Sequence, residues 1–184
     1  NRGREGFAKV YPPETEIRLD AAYEGKDGQV KWQRYETQNE YGKVDFNKPL
    51  GVIKDAPVPT SEPAPARRRK GGGVDYLKEV VAYATTDFYS AEERDAELRL
   101  GCKNGWKIWL NGAPVFGRDE YHRGAQLDQY KLKCRLKKGR NTILVKCCQN
   151  EQKETWTQEW HFQLRLSEEF GTALPQSKRE QHDV

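Results

Sequence analysis

Several features that mark common functional classes are missing from this 184-residue sequence. It has no methionine, only three histidines, and no apolar run close to the roughly 20 residues of a membrane-spanning helix. It also lacks a Gly-x-Ser-x-Gly elbow, a phosphate-binding glycine loop and a His/Glu metal motif. We therefore expect neither an enzyme nor a membrane partner, although abundant Asp and Glu residues leave a carboxylate-pair glycosidase formally open. Because position 1 is not Met, we also expect that any signal peptide has been removed.

Cysteine spacing argues against a zinc site, because Cys102, Cys134, Cys147 and Cys148 include no CxxC pair. Disulfide pairing of these cysteines is an alternative interpretation. A hairpin turn soon after Cys134 would place that residue opposite about Ile143, and not opposite Cys147. The favoured interpretation is that the cysteines are small buried hydrophobic residues on strand faces.

The positive charge of the chain is concentrated in one place. The formal net charge is +4, and the run Arg67-Arg68-Arg69-Lys70 alone carries four positive charges, so the rest of the chain is balanced. This run lies in the Pro-, Arg- and Gly-rich segment 47–73, which we predict to be a loop or linker insertion. Nucleic-acid binding needs a basic stripe on a folded face, so we expect no nucleic-acid partner.

Strand periodicity dominates the remainder of the sequence. Apolar and polar residues alternate through segments 95–100, 106–110, 129–136 and 141–147, which is typical of strands with one buried face. Asn111-Gly112 predicts a two-residue hairpin turn, and Lys137-Lys138-Gly139-Arg140 predicts a second hairpin with Gly139 in the left-handed region. Short strands and little helix predict an all-β fold, an antiparallel two-sheet β-sandwich.

We expect a single β-sandwich domain over residues 14–171, an N-terminal arm over 1–13 and a C-terminal tail over 172–184. Further strands are predicted at Glu16–Tyr23, Val30–Tyr35, Tyr41–Phe46, Tyr76–Thr86 and 156–166. In the last of these, alternate positions form one apolar face, and these are Trp156, Trp160, Phe162, Leu164 and Leu166. In the predicted strand Val30–Tyr35, the side chains of Val30 and Trp32 are expected to point into the core.

The order of these motifs resembles the galactose-binding-like jelly roll. The most specific parts are the hairpin Trp109-Leu-Asn-Gly112 and the stretch Leu136-Lys-Lys-Gly-Arg-Asn-Thr-Ile-Leu-Val-Lys146. The resemblance covers residues 76–171, and strands within 14–46 would complete the sandwich. It implies an accessory module of the kind found in glycoside hydrolases and large secreted bacterial proteins, and hence an extracellular or periplasmic location.

The resemblance also implies partners and a possible cofactor. Members mostly bind carbohydrate, so a polysaccharide or glycan is the expected partner, together with neighbouring domains of a parent protein. Many members hold a structural calcium ion, so calcium is possible here. This chain has Lys103-Asn104 where members often have an acidic pair, which puts any calcium or ligand role of that pair in doubt.

Candidate site residues are chosen for their ability to bind sugar, which needs flat aromatic faces and planar polar groups. Trp109 lies on the polar register of its strand, opposite Trp106, Ile108 and Leu110; the alternative is that the arm or the Pro-rich loop covers it. Trp156 begins its strand and could project from the rim. The loop 118–126 adds polar and aromatic candidates, which are Arg118, Asp119, Tyr121, His122 and Arg123.

The sequence therefore predicts a non-catalytic carbohydrate-binding module. The alternative is a structural or protein-interaction module of a larger protein, with no sugar site. Burial of Trp109 together with the absence of an aromatic-lined groove would favour the alternative.

Overall fold

The alternating pattern predicted from the sequence forms two facing antiparallel sheets in the computed structural model, which describes residues 3–26, 28–50, 77–121, 123–150 and 157–177. The helices are α1 (Gly3–Ala8) and α2 (Pro12–Thr15). The strands are β1 (Ala22–Glu24), β2 (Gln29–Lys31), β3 (Val44–Asp45), β4 (Val80–Ser90), β5 (Arg94–Cys102), β6 (Gly105–Leu110), β7 (Ala113–Arg118), β8 (Tyr130–Leu136), β9 (Gly139–Gln149) and β10 (His161–Ser167). The predicted all-β sandwich is confirmed.

We call the sheet with strand order β4-β9-β6-β7 the front sheet, and the sheet with order β3-β10-β5-β8 the back sheet. All described neighbours within them pair antiparallel. One apolar core fills the space between the sheets, and its fully buried members include Leu98, Leu100, Trp106, Ile108, Leu136 and Trp160. Inward-facing residues of the strands therefore supply one shared core, as the alternation predicts.

The predicted Asn111-Gly112 hairpin is confirmed. It joins β6 to β7, Leu110 pairs with Ala113, and the backbone φ angles of Asn111 and Gly112 are 53° and 81°. Two successive positive φ angles belong to a turn whose twist matches that of antiparallel strands, and Asn and Gly tolerate them best. This turn fixes the position of Trp109 near the closed end of the hairpin.

The second predicted hairpin is wrong. Gly139 has the expected positive φ of 84°, but β8 ends in the back sheet and β9 begins in the front sheet. The buried Asn141 side chain holds the crossing: its amide donates to the carbonyls of Lys137 (2.8 Å) and Gly139 (3.0 Å) and accepts from the Lys137 N–H (3.0 Å). Cys134 consequently pairs with Ala96 and not with Ile143.

Residues before the insertion depart most from the prediction. The strands predicted at Glu16–Tyr23 and Val30–Tyr35 shrink to β1 and β2, which form a separate two-stranded sheet outside the sandwich. Val30 is 47% exposed rather than inward-facing. The two strands carry few apolar side chains, Ala22 and Tyr23 in β1 and Val30 in β2, so neither offers an apolar face that could pack into the sandwich. Among the described strands of segment 14–46, β3 is the one that joins a sheet of the sandwich, where it pairs with β10.

The predicted irregular arm, residues 1–13, contains α1 and the start of α2, and both helices lie against the front sheet. From here on, the arm denotes residues 3–17, which include the whole of α2. Neither of these helices has the length or the apolar character needed to cross a bilayer. Segment 51–76, which includes most of the predicted insertion, lies outside the described residues, as do 178–184 of the predicted tail. Residues up to Ser177 contact the sandwich: Leu174 is buried and the Ser177 N–H donates to the Tyr89 carbonyl at 2.9 Å.

A buried histidine in β10 makes the fold sensitive to acid. His161 is 7% exposed, and burial, reinforced by Lys43, lowers its pKa to about 4 from 6.5. Because the pKa of His161 is lower in the folded state, the unfolded state binds the proton first as the pH falls. The contribution of this group to stability is therefore complete above pH 6.5 and decreases as the pH drops toward 4. We expect a loss of about 2 kcal/mol at pH 5, seen as a smaller unfolding free energy in urea. His161→Gln, which cannot titrate, should lack this component, and an unchanged pH profile in that variant would contradict the assignment.

Candidate functional site

The outer face of the front sheet is built around a buried lysine. Lys146 of β9 is 0% exposed and its Nζ forms an ion pair with Glu14 Oε1 of α2 at 2.7 Å. The same ammonium donates to the carbonyl oxygens of Lys9 (2.7 Å) and Phe7 (3.2 Å). One charged side chain of the sheet thus binds the arm at three points.

Aromatic rings enclose this charge pair. The Tyr83 hydroxyl donates to Glu14 Oε1 at 2.5 Å, and the Lys146 Nζ lies 5.0 Å from the centre of the Tyr11 ring. Burial lowers the pKa of Lys146, while the hydrogen bond with Glu14 opposes that shift. Burial, followed by the hydrogen bond to Glu14, raises the pKa of Tyr83 far above its usual range. The arm is therefore attached through a buried, charge-assisted network.

Trp109 lies under this arm and is 7% exposed, so the prediction of an open aromatic platform is wrong. The physical reason is that the arm covers this part of the sheet, as the alternative interpretation of the sequence predicts: Pro13, Glu14 and Thr15 lie beside Trp109 on the outer face. Trp109 still lines clefts on both of its sides.

The first cleft has a volume of about 480 Å³ and lies beside the β6–β7 hairpin. Its lining is largely aromatic and apolar, with Phe7, Trp109 and the 46% exposed Phe116, and its polar groups include Glu14 and Lys107. Aromatic walls with a few fixed polar groups are typical of small-ligand sites.

A glycine lets the arm approach the sheet at this cleft. The Lys107 Nζ lies 4.5 Å from the centre of the Phe7 ring, a cation–π contact, and both side chains lie over Gly117. A Cβ at Gly117 would come within 2.8 Å of Lys107 Cγ and 3.4 Å of Phe7 Cζ. The Lys107 and Phe7 side chains therefore occupy the space that a side chain at position 117 would need.

The second cleft, of about 320 Å³, lies on the other side of Trp109. Its apolar lining includes Ile17 and Leu144, and its polar lining includes Asn111, Lys137 and Arg140. The Arg140 Nε lies 3.6 Å from Asp87 Oδ1 in an exposed ion pair. The Asn111 amide is already engaged, because it donates to Asn141 Oδ1 and accepts from the Thr142 N–H, each at 3.0 Å. The exposed Arg140 guanidinium is the planar group that can hydrogen-bond sugar hydroxyls.

The predicted loop residues lie at the other end of the β6–β7 hairpin. Arg118 pairs with Trp106, whereas Trp109 pairs with Pro114 near the turn, a separation of about 10 Å along the strand. Arg118 and Arg123 converge on one carboxylate, with Nη2 and Nε at 2.6 and 3.6 Å from the oxygens of Glu120. The structure thus groups the two arginines with each other and not with Trp109.

Other predicted residues have different surroundings. The Tyr121 ring packs over Gly105, where a Cβ would lie 3.0 Å from its hydroxyl oxygen. Asp119 is exposed. His122 and Trp156 lie outside the described residues, so their roles stay predictions.

Lys103 and Asn104 occupy the position at which the resemblance predicts an acidic pair for calcium. The Lys103 Nζ lies 2.7 Å from Glu159 Oε2, and the Asn104 amide donates to Gln149 Oε1 at 2.5 Å. Calcium binds oxygen ligands, and an ammonium group already neutralises the nearby carboxylate, so these residues do not fit the ion. In the described ranges, no cluster of three or more His, Cys, Asp or Glu side chains could hold a metal.

Sequence reasoning missed Phe7, Glu14, Lys146 and Phe116. One signal was available: Lys146 is a cation in the middle of an apolar strand and on the register of Leu144, which indicates a covered face with an acidic partner. The partner itself is 132 residues away in sequence, and periodicity carries no information about such a contact.

Comparisons with known proteins find no matching family model and no significantly similar curated protein. Among solved structures, a β-glucosidase from Kluyveromyces marxianus in complex with glucose aligns with 15% identity and a TM-score of 0.41 over 90% of this chain and 18% of that one. A family 35 carbohydrate-binding module from an environmental isolate aligns with 14% identity and a TM-score of 0.37 over 68% and 89%.

The PA14 domain of the MpAFP antifreeze protein aligns with 18% identity and a TM-score of 0.38 over 50% of this chain and 45% of that one. This chain therefore spans less than half of that domain and under a fifth of the glucosidase. At such identities and TM-scores, none of these alignments assigns the chain to a family.

Proposed function

We propose that this chain is a galactose-binding-like, non-catalytic module that binds a glycan in the clefts beside Trp109. The observation that carries the proposal is that clefts of about 480 and 320 Å³ share one tryptophan on the outer face of the front sheet. Both combine apolar surface with fixed polar groups, and a glycan presents these two kinds of surface to a protein. Together they could accept adjacent sugar units.

Phe116, rather than Trp109, is the stacking platform in this proposal, because it lines the first cleft and is 46% exposed. It pairs with Ile108 on the edge strand β7, and its ring also packs against Trp106 with the ring centres 6.0 Å apart, so a sugar can contact only the exposed part of the ring. A ring contact covering about 100 Å² contributes roughly 2 to 3 kcal/mol before ordering costs. One or two such contacts give dissociation constants of roughly millimolar to tens of micromolar. Polysaccharide retention is therefore a better assay than binding of a monosaccharide.

We expect Phe116→Ala and Arg140→Ala each to weaken glycan retention about tenfold, because each removes a contact from a different cleft. The wild-type protein is first assayed on a glycan array and with insoluble polysaccharides, with and without calcium, and the variants are compared on any ligand found. Trp109→Ala is unsuitable, since removal of a buried indole would also destabilise the fold and so confuse a loss of binding with a loss of stability.

Phe170→Ala is the matched control, because Phe170 is 94% exposed on a loop attached to the back sheet and should not affect retention. Thermal unfolding of each variant verifies that the fold is intact. The proposal would be contradicted if the wild-type protein bound no glycan in an assay sensitive to millimolar dissociation constants. It would also be contradicted if Phe170→Ala and Phe116→Ala weakened glycan retention equally.

A second candidate function is protein docking within a larger protein, and a separate surface favours it. Phe170 and Leu127, 94% and 55% exposed, neighbour Glu169 and Asp128 in sequence. The guanidinium of Arg99 contacts both of these neighbours, so it holds together the two loops that carry the apolar residues. In this case Phe170→Ala would weaken association with a neighbouring domain and leave glycan retention unchanged.

We further propose that the module acts in an extracellular or periplasmic setting, where polysaccharides are accessible. Secretion of the full-length parent protein, followed by fractionation and immunodetection, tests this location.

A further inference from the structure

Two cysteine side chains meet in the core between the sheets. Cys102 ends β5 in the back sheet and Cys147 lies in β9 of the front sheet, and their sulfur atoms are 3.6 Å apart. The two residues are 1% and 0% exposed. This contact joins the sheets at a point where neither backbone can hydrogen-bond to the other.

Strand register selects this pair from the four cysteines. Cys147 pairs with Ala82 and Trp106 and belongs to the core, so the adjacent Cys148 points to the opposite face of the same sheet. Cys134 pairs with Ala96 on the far edge strand of the back sheet. Cys102 and Cys147 are thus the two cysteines whose sulfur atoms lie in contact across the core.

We propose that Cys102 and Cys147 form a disulfide bond that links the two sheets. An S–S bond measures about 2.05 Å, so the two sulfur atoms together must move about 1.5 Å closer. The inference is independent of the proposed glycan binding.

The oxidant in this proposal is a low-molecular-weight disulfide such as oxidised glutathione. One cysteine thiolate attacks it, forms a mixed disulfide and releases one glutathione thiolate. The second cysteine thiolate then displaces the other glutathione. The two cysteines lose two electrons and two protons, and one glutathione disulfide is reduced to two glutathione thiols.

Burial determines when this reaction can occur. Burial raises the pKa of the Cys147 thiol well above its usual value, so the reactive thiolate is scarce in the folded state. In the reduced protein, the carbonyl oxygens of Asn104 and His161 lie 3.4 and 3.5 Å from the Cys102 Sγ, within reach of its thiol hydrogen. The bond therefore forms while the chain folds, and once formed it is protected from reductants.

The test is to unfold and reduce the purified protein, refold it with reduced and oxidised glutathione, and alkylate the remaining thiols in denaturant. We expect two alkylated cysteines instead of four, and a tryptic peptide 100–103 linked to peptide 147–153. Because the second peptide contains both Cys147 and Cys148, the map is repeated with Cys148→Ser, which should keep the link. Four free thiols, or a link that includes Cys134, would overturn the proposal.

The stability of the oxidised and reduced proteins gives an independent readout. The bond would close a loop of about 45 residues, so we expect oxidation to raise Tm by roughly 5 to 15 °C. Cys134→Ser should keep this difference, whereas Cys102→Ala and Cys147→Ala should lose it. A difference that persists in Cys102→Ala would assign it to another pair and contradict the proposal.

Discussion

Replacement of Glu14 by glutamine should release the N-terminal arm and leave the two sheets folded. Glutamine preserves the shape of the side chain and can still serve at this helix start, so the substitution removes mainly the charge. Lys146 would then be buried without a counter-charge, which costs about 3 kcal/mol or more. Detaching α1 and α2 relieves that cost by exposing Lys146 to water, whereas unfolding the sandwich would lose the whole core.

Trypsin provides a direct measurement, because the Lys9 carbonyl at the cleavable bond accepts a hydrogen bond from the Lys146 Nζ at 2.7 Å. We expect cleavage after Lys9 to accelerate at least about tenfold in Glu14→Gln, since proteolysis reports the population of the open form. Glu16→Gln is the matched control: Glu16 is two residues away and exposed, so cleavage should match the wild type. Equal cleavage of all three proteins would contradict this attachment.

The arm experiment also tests the proposed function. Phe7 and Glu14 line the first cleft, and Ile17 lines the second, so the arm forms a wall of each. A released arm should therefore weaken glycan retention in Glu14→Gln along with faster cleavage. Stronger retention would instead mean that the arm is a cover over Trp109, and the proposed clefts would be wrong.

Much of the sandwich could be predicted because its signals are local. Alternation over 95–100 and 106–110 identifies strands with one buried face, and Asn111-Gly112 identifies a turn from two residues alone. Alternation does not say which sheet a strand joins. The turn residues at Gly139 therefore predict a hairpin, whereas in the structure the chain crosses there to the other sheet and the Asn141 side chain stabilises the crossing.

The candidate site could be predicted less well because it depends on distant contacts. The register of Trp109 correctly indicated the outer face of its strand, but it could not show that Pro13 and Glu14 cover that face. The loop 118–126 has suitable residue types, yet Glu120 engages both of its arginines. Composition thus identified polar groups, and only the packing showed which of them are already paired.

Replacement of Arg99 by alanine should lower Tm by about 10 °C or more. This β5 side chain is 6% exposed on the outer face of the back sheet, and its guanidinium contacts Glu97 (2.7 Å), Asp128 (3.0 Å) and the Glu169 carbonyl (2.9 Å). Without it, the largely buried Glu97 carboxylate loses its cation, and the loops at Asp128 and Glu169 lose their common anchor. Thermal unfolding followed by circular dichroism measures the change.

Arg135→Ala is the matched control for this prediction, because Arg135 also contacts two carboxylates, those of Glu93 and Asp95, at 2.8 Å each. Those three side chains are 60%, 61% and 86% exposed, so water replaces the lost contacts and Tm should change by no more than about 2 °C. Two arginines with the same kind of partners thus differ mainly in burial. Equal changes in Tm would show that the Arg99 network adds no more stability than a surface ion pair, and that the face bearing Phe170 and Leu127 is not held rigid by it.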